Sequence, residues 1–151
     1  MYAQCYLGSF GIVEALKNGA DIVLCGRVAD ACPTIACSIY HYGWGREDYK
    51  QLASAFVAGH FIECSTYVTG GNFTGFKSLP GKSINIGYPI VEMQADGDFI
   101  VTKQKNTDGM VTTGTCRAQL LYEIQGPLYY NSDVVARLDQ IKIEQAGENR
   151  V

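Results

Sequence analysis

The segment from Tyr49 to Cys64 constrains the fold most strongly, because its apolar residues recur at spacings of three and four. This spacing is typical of a helix that buries one face against a protein core. His60 and Cys64 fall on the buried stripe, whereas Lys50 and Ser54 fall on the exposed side. The rest of the chain must therefore supply a layer against which this helix packs.

A helix, a buried strand and a second helix are predicted before Tyr49. An apolar helical stripe ends at Asn18-Gly19, a pair that favours a left-handed turn. The run from Asp21 to Val28 is almost continuously apolar, as in a parallel strand that is covered on both faces. Asp30 is a candidate N-cap for the next helix, which has Pro33 in its first turn and a stop near Gly43.

A β-hairpin is predicted after the central helix. Residues Ile84 to Met93 resemble a strand, although Pro89 cannot donate a ladder hydrogen bond and favours an edge, a bulge or a break. An Asp-Gly turn at residues 96–97 then leads to a partner strand from Phe99 to Lys103.

Two helices and a strand are predicted in the last part of the chain. A polar loop enters a helix that carries Cys116 and Leu120 inward and stops at Gly126-Pro127. Ser132 is a candidate cap for a short helix through Leu138, and residues 141–145 alternate as a strand does.

These elements predict an α/β fold with a mixed, partly parallel sheet, flanking helices and an antiparallel hairpin. They form one domain over residues 1–151. A lone helix precedes the first buried strand, and the last strand stops close to the end of the chain. We therefore expect an incomplete domain.

Composition narrows the class of partner and the cell compartment. The net charge of -3 and the lack of Lys/Arg clusters argue against nucleic acid or a membrane as a partner, which leaves a small molecule, another protein or a second copy. Six scattered cysteines without a C-x-x-C pair, and no secretory signal, indicate reduced thiols in the cytoplasm. The only histidines are His41 and His60, so no metal site is expected, and no cofactor is indicated.

His60, Glu63 and Cys64 form the only reactive-looking cluster, at positions i, i+3 and i+4 of the central helix. They could act as a base, a carboxylate and a thiol nucleophile, or together ligate a metal. The alternative is a core histidine beside a buried, inert cysteine. His60 and Glu63 are the candidate catalytic residues, and Cys64 is assigned to packing.

Arg27 and Asp30 lie where the predicted strand ends and a helix begins, which is where open α/β sheets bind ligands. A guanidinium at this position could hold a carboxylate or phosphate. The same residues are also explained by a capping aspartate with an arginine partner.

Two glycine-bearing loops are further candidates for ligand binding. Thr69, Gly70, Gly71 and Asn72 combine polar side chains with a permissive backbone that could bind an anion, or they form a tight turn. In the loop at residues 107–115, which contains Gly109 and Thr112, free N–H groups at a helix start could bind an anion. A threonine-capped helix explains this second loop equally well.

Four segments, in this order, resemble the acyclic terpene utilisation (AtuA-like) family: IVEALKNGADIVLCGRVADA, AGHFIECSTYVTGGNF, INIGYPIVEM and TKQKNTDGMVTTGTCRAQLLYEIQGPLYYNSDVV. Asp108 stands where the family's loop usually has a glycine, which weakens the case for a tight anion contact at residues 107–109. The resemblance implies that the chain is the later part of the N-terminal α/β domain of a longer protein.

The resemblance also implies a role in the catabolism of acyclic terpenes or related branched acyl compounds, handled as acyl-CoA thioesters, without defining a reaction. Under this hypothesis Arg27 and the glycine loops bind the anionic group, and His60 with Glu63 transfers a proton. The alternative is a non-catalytic scaffold that partners an acyl-CoA carboxylase or hydratase.

Overall fold

The computed structural model describes residues 1–79 and 83–151, which fold as a mixed α/β unit. The α-helices are α1 (Phe10–Lys17), α2 (Cys32–Tyr42), α3 (Tyr49–Ile62) and α4 (Thr113–Leu121). The strands are β1 (Pro89–Met93), β2 (Phe99–Lys103), β3 (Leu128–Tyr130) and β4 (Val135–Arg137). Among the described residues, no helix is long and apolar enough to cross a bilayer.

Helix α3 is the centre of the molecule, as its apolar stripe predicts. It contacts α2 and α4 and packs against strands of both hairpins. Every residue from Ala55 to Phe61 is buried, because these neighbours surround the second half of the helix. The predicted helices α1 and α2 are also confirmed, and Gly43 ends α2 in the left-handed conformation with φ of 72°.

The predicted hairpin is confirmed as β1 and β2, which pair antiparallel with Val91 opposite Val101. Gly97 in its turn has φ of 95°, a conformation that glycine adopts without strain. The first strand begins at Pro89, five residues later than predicted, in agreement with the missing N–H of proline.

A second antiparallel hairpin, β3 and β4, replaces the helix that was predicted from Ser132 to Leu138. Asn131 closes the turn, because its side-chain oxygen accepts from the backbone N–H of Asp133 at 3.0 Å and its own N–H donates to Val134 O at 3.1 Å. This local bonding competes with a helix. Tyr129 pairs with Ala136 across the hairpin.

The prediction of a strand from Asp21 to Val28 is wrong. Among the residues that the structure describes, the only pairing of this segment is a parallel bridge between Val28 and Leu7, so the parallel part of the predicted sheet is reduced to that bridge. Ile22 and Leu24 are 88% and 97% exposed. A strand needs a neighbour along its length, and the described residues supply one at a single position.

Three smaller predictions also need correction. Asp30 does not cap α2, whose N-cap is Ala31 and lacks a side-chain hydrogen bond. Helix α4 ends at Leu121, before Gly126-Pro127, and Glu123 follows with φ of 62°. Residues 141–145 form no strand, although the side chains of Ile141 and Ile143 pack against the core as the alternation predicts.

Candidate functional site

The last turn of α3 and the last turn of α4 are joined through His60 and Gln119. The Nε2 atom of His60 lies 2.7 Å from the backbone carbonyl oxygen of Gln119, and the side-chain amide of Gln119 donates to the His60 carbonyl at 2.7 Å. A carbonyl oxygen can only accept, so His60 Nε2 carries a hydrogen. Both side chains are fully buried.

Glu63 completes the surroundings of the same ring. Its Oε1 atom lies 2.9 Å from His60 Nδ1, and its side chain is 14% exposed. A carboxylate also accepts, and therefore both ring nitrogens face acceptors. Nδ1 and the Glu63 carboxyl group therefore share one hydrogen between them, while Nε2 donates to Gln119.

Tyr129 also contacts the His60 ring, edge to face at a centroid distance of 5.1 Å. Its ring stacks on Phe56 at a centroid distance of 4.2 Å, and its hydroxyl lies 3.3 Å from His60 Nδ1. Burial, followed by the charges of Glu63 and Asp30, raises the pKa of the Tyr129 hydroxyl to about 12. The hydroxyl is therefore neutral at ordinary pH and can act as a hydrogen-bond donor.

Arg27 and Asp30 belong to the same region of the molecule. Asp30 lies close enough for its charge to raise the pKa values of both Tyr129 and Cys64. Arg27 forms an ion pair with Asp30 at 3.6 Å and donates to Tyr6 Oη at 3.0 Å. The guanidinium is half exposed, so its remaining donors can reach a ligand.

Gly59 explains how the start of α2 comes so close to α3. A Cβ atom at position 59 would lie 2.6 Å from the Cβ atom of Ala31. Because glycine has no side chain, Ala31 sits directly against α3, and the preceding Asp30 is held beside the end of that helix. We call Arg27, Asp30, His60 and Glu63 the acid–base region; it comprises an ion pair just before α2 and a carboxylate–imidazole pair at the end of α3.

Cys64 is not on a buried stripe, which corrects its assignment to packing. It lies outside α3, is exposed, and has φ of 57°, followed by Ser65 with φ of 61°. Its pKa is raised, first by partial burial and then by the charges of Glu63 and Glu123. A raised pKa disfavours the thiolate, which is the nucleophilic form, so a nucleophilic role for Cys64 is not supported.

The glycine loop after α3 uses its polar groups internally. Thr69 lies in a π-helical turn (Tyr67–Gly71), and its hydroxyl donates to the Gly87 carbonyl at 2.8 Å. Its backbone carbonyl accepts from Met110 N–H at 2.9 Å. Gly70, with φ of 108°, and Gly109 face the same small cleft of about 10 Å³, which has room for about one water molecule.

The remaining predicted ligand-binding residues lie at the end of this turn and at the start of α4, and these two elements contact each other. Gly71 and Asn72 are exposed at the end of the π-helical turn. Thr112 caps α4: its hydroxyl accepts from Thr115 N–H at 3.1 Å, and the Thr115 hydroxyl accepts from Thr112 N–H at 3.0 Å. The structure therefore shows the threonine-capped helix that was the alternative to an anion-binding loop.

The carboxylate of Asp108 is itself the anionic hydrogen-bond acceptor in its loop. Its Oδ2 atom accepts from the backbone N–H groups of Asn85 at 3.1 Å and Ile84 at 3.3 Å. A glycine at position 108 would leave these two N–H groups available to another acceptor.

A cavity with a volume of about 690 Å³ lies on another face of α3. Its apolar walls include Ala53, Val57 and Phe61 of α3 and Val101 of β2, and residues 140–144 and Ala146 also line it. No predicted site residue lines this cavity. Within the same described residues, no group of three His, Cys, Asp or Glu side chains is placed to hold a metal ion.

Sequence reasoning missed Gln119 and Tyr129, although both lie in the last of the four family-like segments, because their roles depend on contacts between distant elements.

The comparisons with known proteins bear on identity. The model of a family described as acyclic terpene utilisation family protein AtuA matches residues 1–151. Neither the curated proteins nor the solved structures contain a match. Since the family model covers the whole sequence, the chain belongs to the acyclic terpene utilisation (AtuA) family.

Proposed function

We propose that the protein is a cytoplasmic metabolic protein that acts in the catabolism of branched or terpenoid acyl compounds, as CoA thioesters or carboxylates. Membership of the AtuA family supports a role related to terpene utilisation. All six cysteines are free thiols, in agreement with a reducing compartment. The observation that carries the proposal is the pair formed by the Glu63 carboxylate and the His60 imidazole, whose carboxylate is partly exposed and can reach a ligand.

In this proposal Arg27 binds the anionic group of the ligand, because its guanidinium is partly exposed and can form a bidentate contact. Glu63 transfers the proton, since part of its side chain reaches solvent. His60 is fully buried, with both nitrogens engaged, and acts as a positioning residue for Glu63. The protons next to an acyl carbonyl are the most acidic in such a ligand and are the natural target of a carboxylate base.

The test is exchange of these α-protons for deuterium. A branched ten-carbon acyl-CoA is incubated with the protein in deuterium oxide, and exchange is followed by proton NMR. We expect the wild type to catalyse exchange, Glu63→Gln to abolish it, and Arg27→Gln to raise the apparent KM. Arg46→Gln is the matched control, because Arg46 stacks on Phe10 outside the region. Equal exchange by the wild type and Glu63→Gln would disprove the role of Glu63.

The scaffold function is the second candidate, and the exposed segment at Ile22 and Leu24 favours it. Apolar side chains that protrude together often mark a protein interface. A double Ile22→Ser, Leu24→Ser variant should then lose co-sedimentation with a purified acyl-CoA carboxylase or hydratase while the wild type retains it. Absence of co-sedimentation by the wild type counts against the scaffold.

A further inference from the structure

We propose that the start of helix α1 is a binding site for a phosphate group, a site that the carboxylate of Asp133 occupies as an internal anion. The site shares no residue with the acid–base region, and the inference goes beyond the proposed function. The phosphate group belongs either to inorganic phosphate or to a small phosphate monoester.

The site lies where two parallel segments of the chain end. Leu7 and Val28 form the parallel bridge, and the segments that contain them lead into α1 and α2. Ligands of α/β proteins bind beyond the carboxyl ends of parallel strands, where the starts of the following helices attract anions. Asp133 reaches this place from the turn of the second hairpin. Its Oδ2 atom accepts from Ser9 N–H at 2.7 Å and lies 3.9 Å from the Sγ atom of Cys32, the first residue of α2.

The carboxylate of Asp133 leaves most of the donors at this helix start unused. The backbone N–H groups of Phe10 and Gly11 make no hydrogen bond with a described residue. The hydroxyl of Ser9 also lacks a partner among the described residues, although Ser9 is fully buried. A buried hydroxyl without a partner costs free energy, so its presence here calls for an acceptor that binds at this place.

The unpaired hydroxyl belongs to the site by covalent geometry. Ser9 Oγ is separated by three covalent bonds from the nitrogen that donates to Asp133, so it lies beside the carboxylate. Displacement of Asp133 would therefore leave the Ser9 hydroxyl and the consecutive N–H groups of Ser9, Phe10 and Gly11 together for one incoming ligand. Consecutive backbone N–H groups at a helix start are the usual donors to phosphate.

A phosphate group matches these donors better than a carboxylate does. Asp133 engages one backbone N–H group, whereas a phosphate presents three strong acceptor oxygens. The backbone permits a close approach, because a Cβ atom at Gly8 would overlap the Asp133 carboxylate and one at Gly11 would meet nothing within 4 Å. The thiol of Cys32 does not repel an anion, since burial and then the charge of Asp133 raise its pKa to about 11.

The test is titration of the nitrogen-15-labelled protein with inorganic phosphate and with glycerol 3-phosphate, followed by the amide resonances of Phe10 and Gly11. We expect both resonances to shift in a saturable way, and the probe that binds more tightly identifies the source of the phosphate group. Acetate should bind at least about tenfold more weakly, because it leaves donors unpaired. Sodium chloride at matched ionic strength corrects for screening.

Two variants separate a ligand site from a structural cap. Asp133→Asn should bind phosphate about tenfold more tightly than the wild type, because the competing charge is removed. Ser9→Ala should bind about tenfold more weakly and yet unfold at a higher urea concentration, because the unpaired hydroxyl is lost. Ser38→Ala is the matched control for Ser9→Ala, since Ser38 is also buried but donates to the Thr34 carbonyl at 2.9 Å. Asp139→Asn, at an exposed position, is the control for Asp133→Asn.

Folding of each variant is checked by circular dichroism. If Asp133→Asn does not fold, the wild-type titration and Ser9→Ala decide the question. Unshifted resonances of Phe10 and Gly11, equal binding by the wild type and Ser9→Ala, or acetate that binds as tightly as phosphate would overturn the proposal. So would a folded Asp133→Asn variant that binds no more tightly than the wild type. The titration contains no acyl ligand, so its outcome is independent of the deuterium-exchange test.

Discussion

His60 and Gln119 bond to each other twice, through the imidazole Nε2 to one carbonyl and through the amide side chain to the other, both at 2.7 Å. This pair joins α3 to α4 and determines which ring nitrogen must carry a hydrogen. With Glu63 at the other nitrogen, the ring has acceptors on both sides.

We predict that Nε2 of His60 carries a hydrogen in the native protein and that this hydrogen exchanges slowly, because the ring is fully buried. Nitrogen-15 NMR of the labelled imidazole should show this N–H group in the wild type and also in Glu63→Gln, whose amide can donate to Nδ1. A wild-type ring that carries its hydrogen on Nδ1 alone would contradict the assignment.

Replacing Gln119 by Leu should lower the free energy of unfolding by about 1–3 kcal/mol, because the buried carbonyl of His60 loses its donor. The Oε1 atom of Gln119 has no hydrogen-bond partner among the described residues, which places the loss toward the lower end. Urea unfolding measures the change. Gln125→Leu, at an exposed position, is the control and should have little effect.

Stability should fall at alkaline pH because of Tyr129. Its pKa is raised from 10.0 to about 12 in the folded protein, so the unfolded chain ionises first as pH rises. The contribution of Tyr129 is therefore complete below about pH 10 and is lost between about pH 10 and 12. Urea unfolding across this range should show a shallower decline for Tyr129→Phe than for Tyr130→Phe, whose side chain is exposed. Identical slopes would count against the raised pKa.

Gly59→Ala should destabilise the fold by about 1–3 kcal/mol through the overlap with Ala31. Gly11→Ala is the matched control, since a Cβ atom at that helical position meets nothing within 4 Å. It should be neutral or stabilising by up to about 1 kcal/mol. Addition of Ala31→Gly to Gly59→Ala should restore only part of the loss, because the new Cβ atom would still lie 2.9 Å from the Cα atom and 3.1 Å from the carbonyl oxygen of residue 31. A purely additive double mutant would exclude the contact between the two methyl groups as a cause.

Thiol labelling should divide the cysteines into two groups. Cys32 and Cys116 are buried, and burial raises their pKa values to about 11 and about 12, so neither should react in the native state. The other four, which are exposed, should react: Cys5, Cys25, Cys37 and Cys64. Mass spectrometry after brief treatment with iodoacetamide identifies the labelled sites.

Local patterns predicted the parts of the fold that depend on local interactions. The stripe of α3 and the Asp-Gly turn of the first hairpin each carry their signal within a few residues. The prediction of a strand at residues 21–28 failed because an apolar run does not reveal whether a neighbouring strand exists. The second hairpin was missed because the side-chain bond of Asn131 outweighs the capping preference of Ser132.

The candidate site could be predicted only in part for the same reason. Helical spacing brings His60 and Glu63 together, and the structure shows their side chains in contact. Gln119 and Tyr129 reach the same ring from elements that follow much later in the chain, which no periodicity encodes. The roles of the predicted ligand-binding residues remain predictions.

The contact of Gly59 with Ala31 sets a rule for the sequences of relatives. A Cβ atom at position 59 would lie 2.9 Å from the Cα atom and 3.1 Å from the carbonyl oxygen of Ala31, so the backbone of residue 31 itself excludes a side chain there. Relatives that keep the start of α2 against α3 should therefore have glycine at the position of Gly59, whichever residue stands at the position of Ala31. A larger residue at the position of Gly59 would mark the relatives in which these two helices have moved apart, even where the intervening sequence is unchanged.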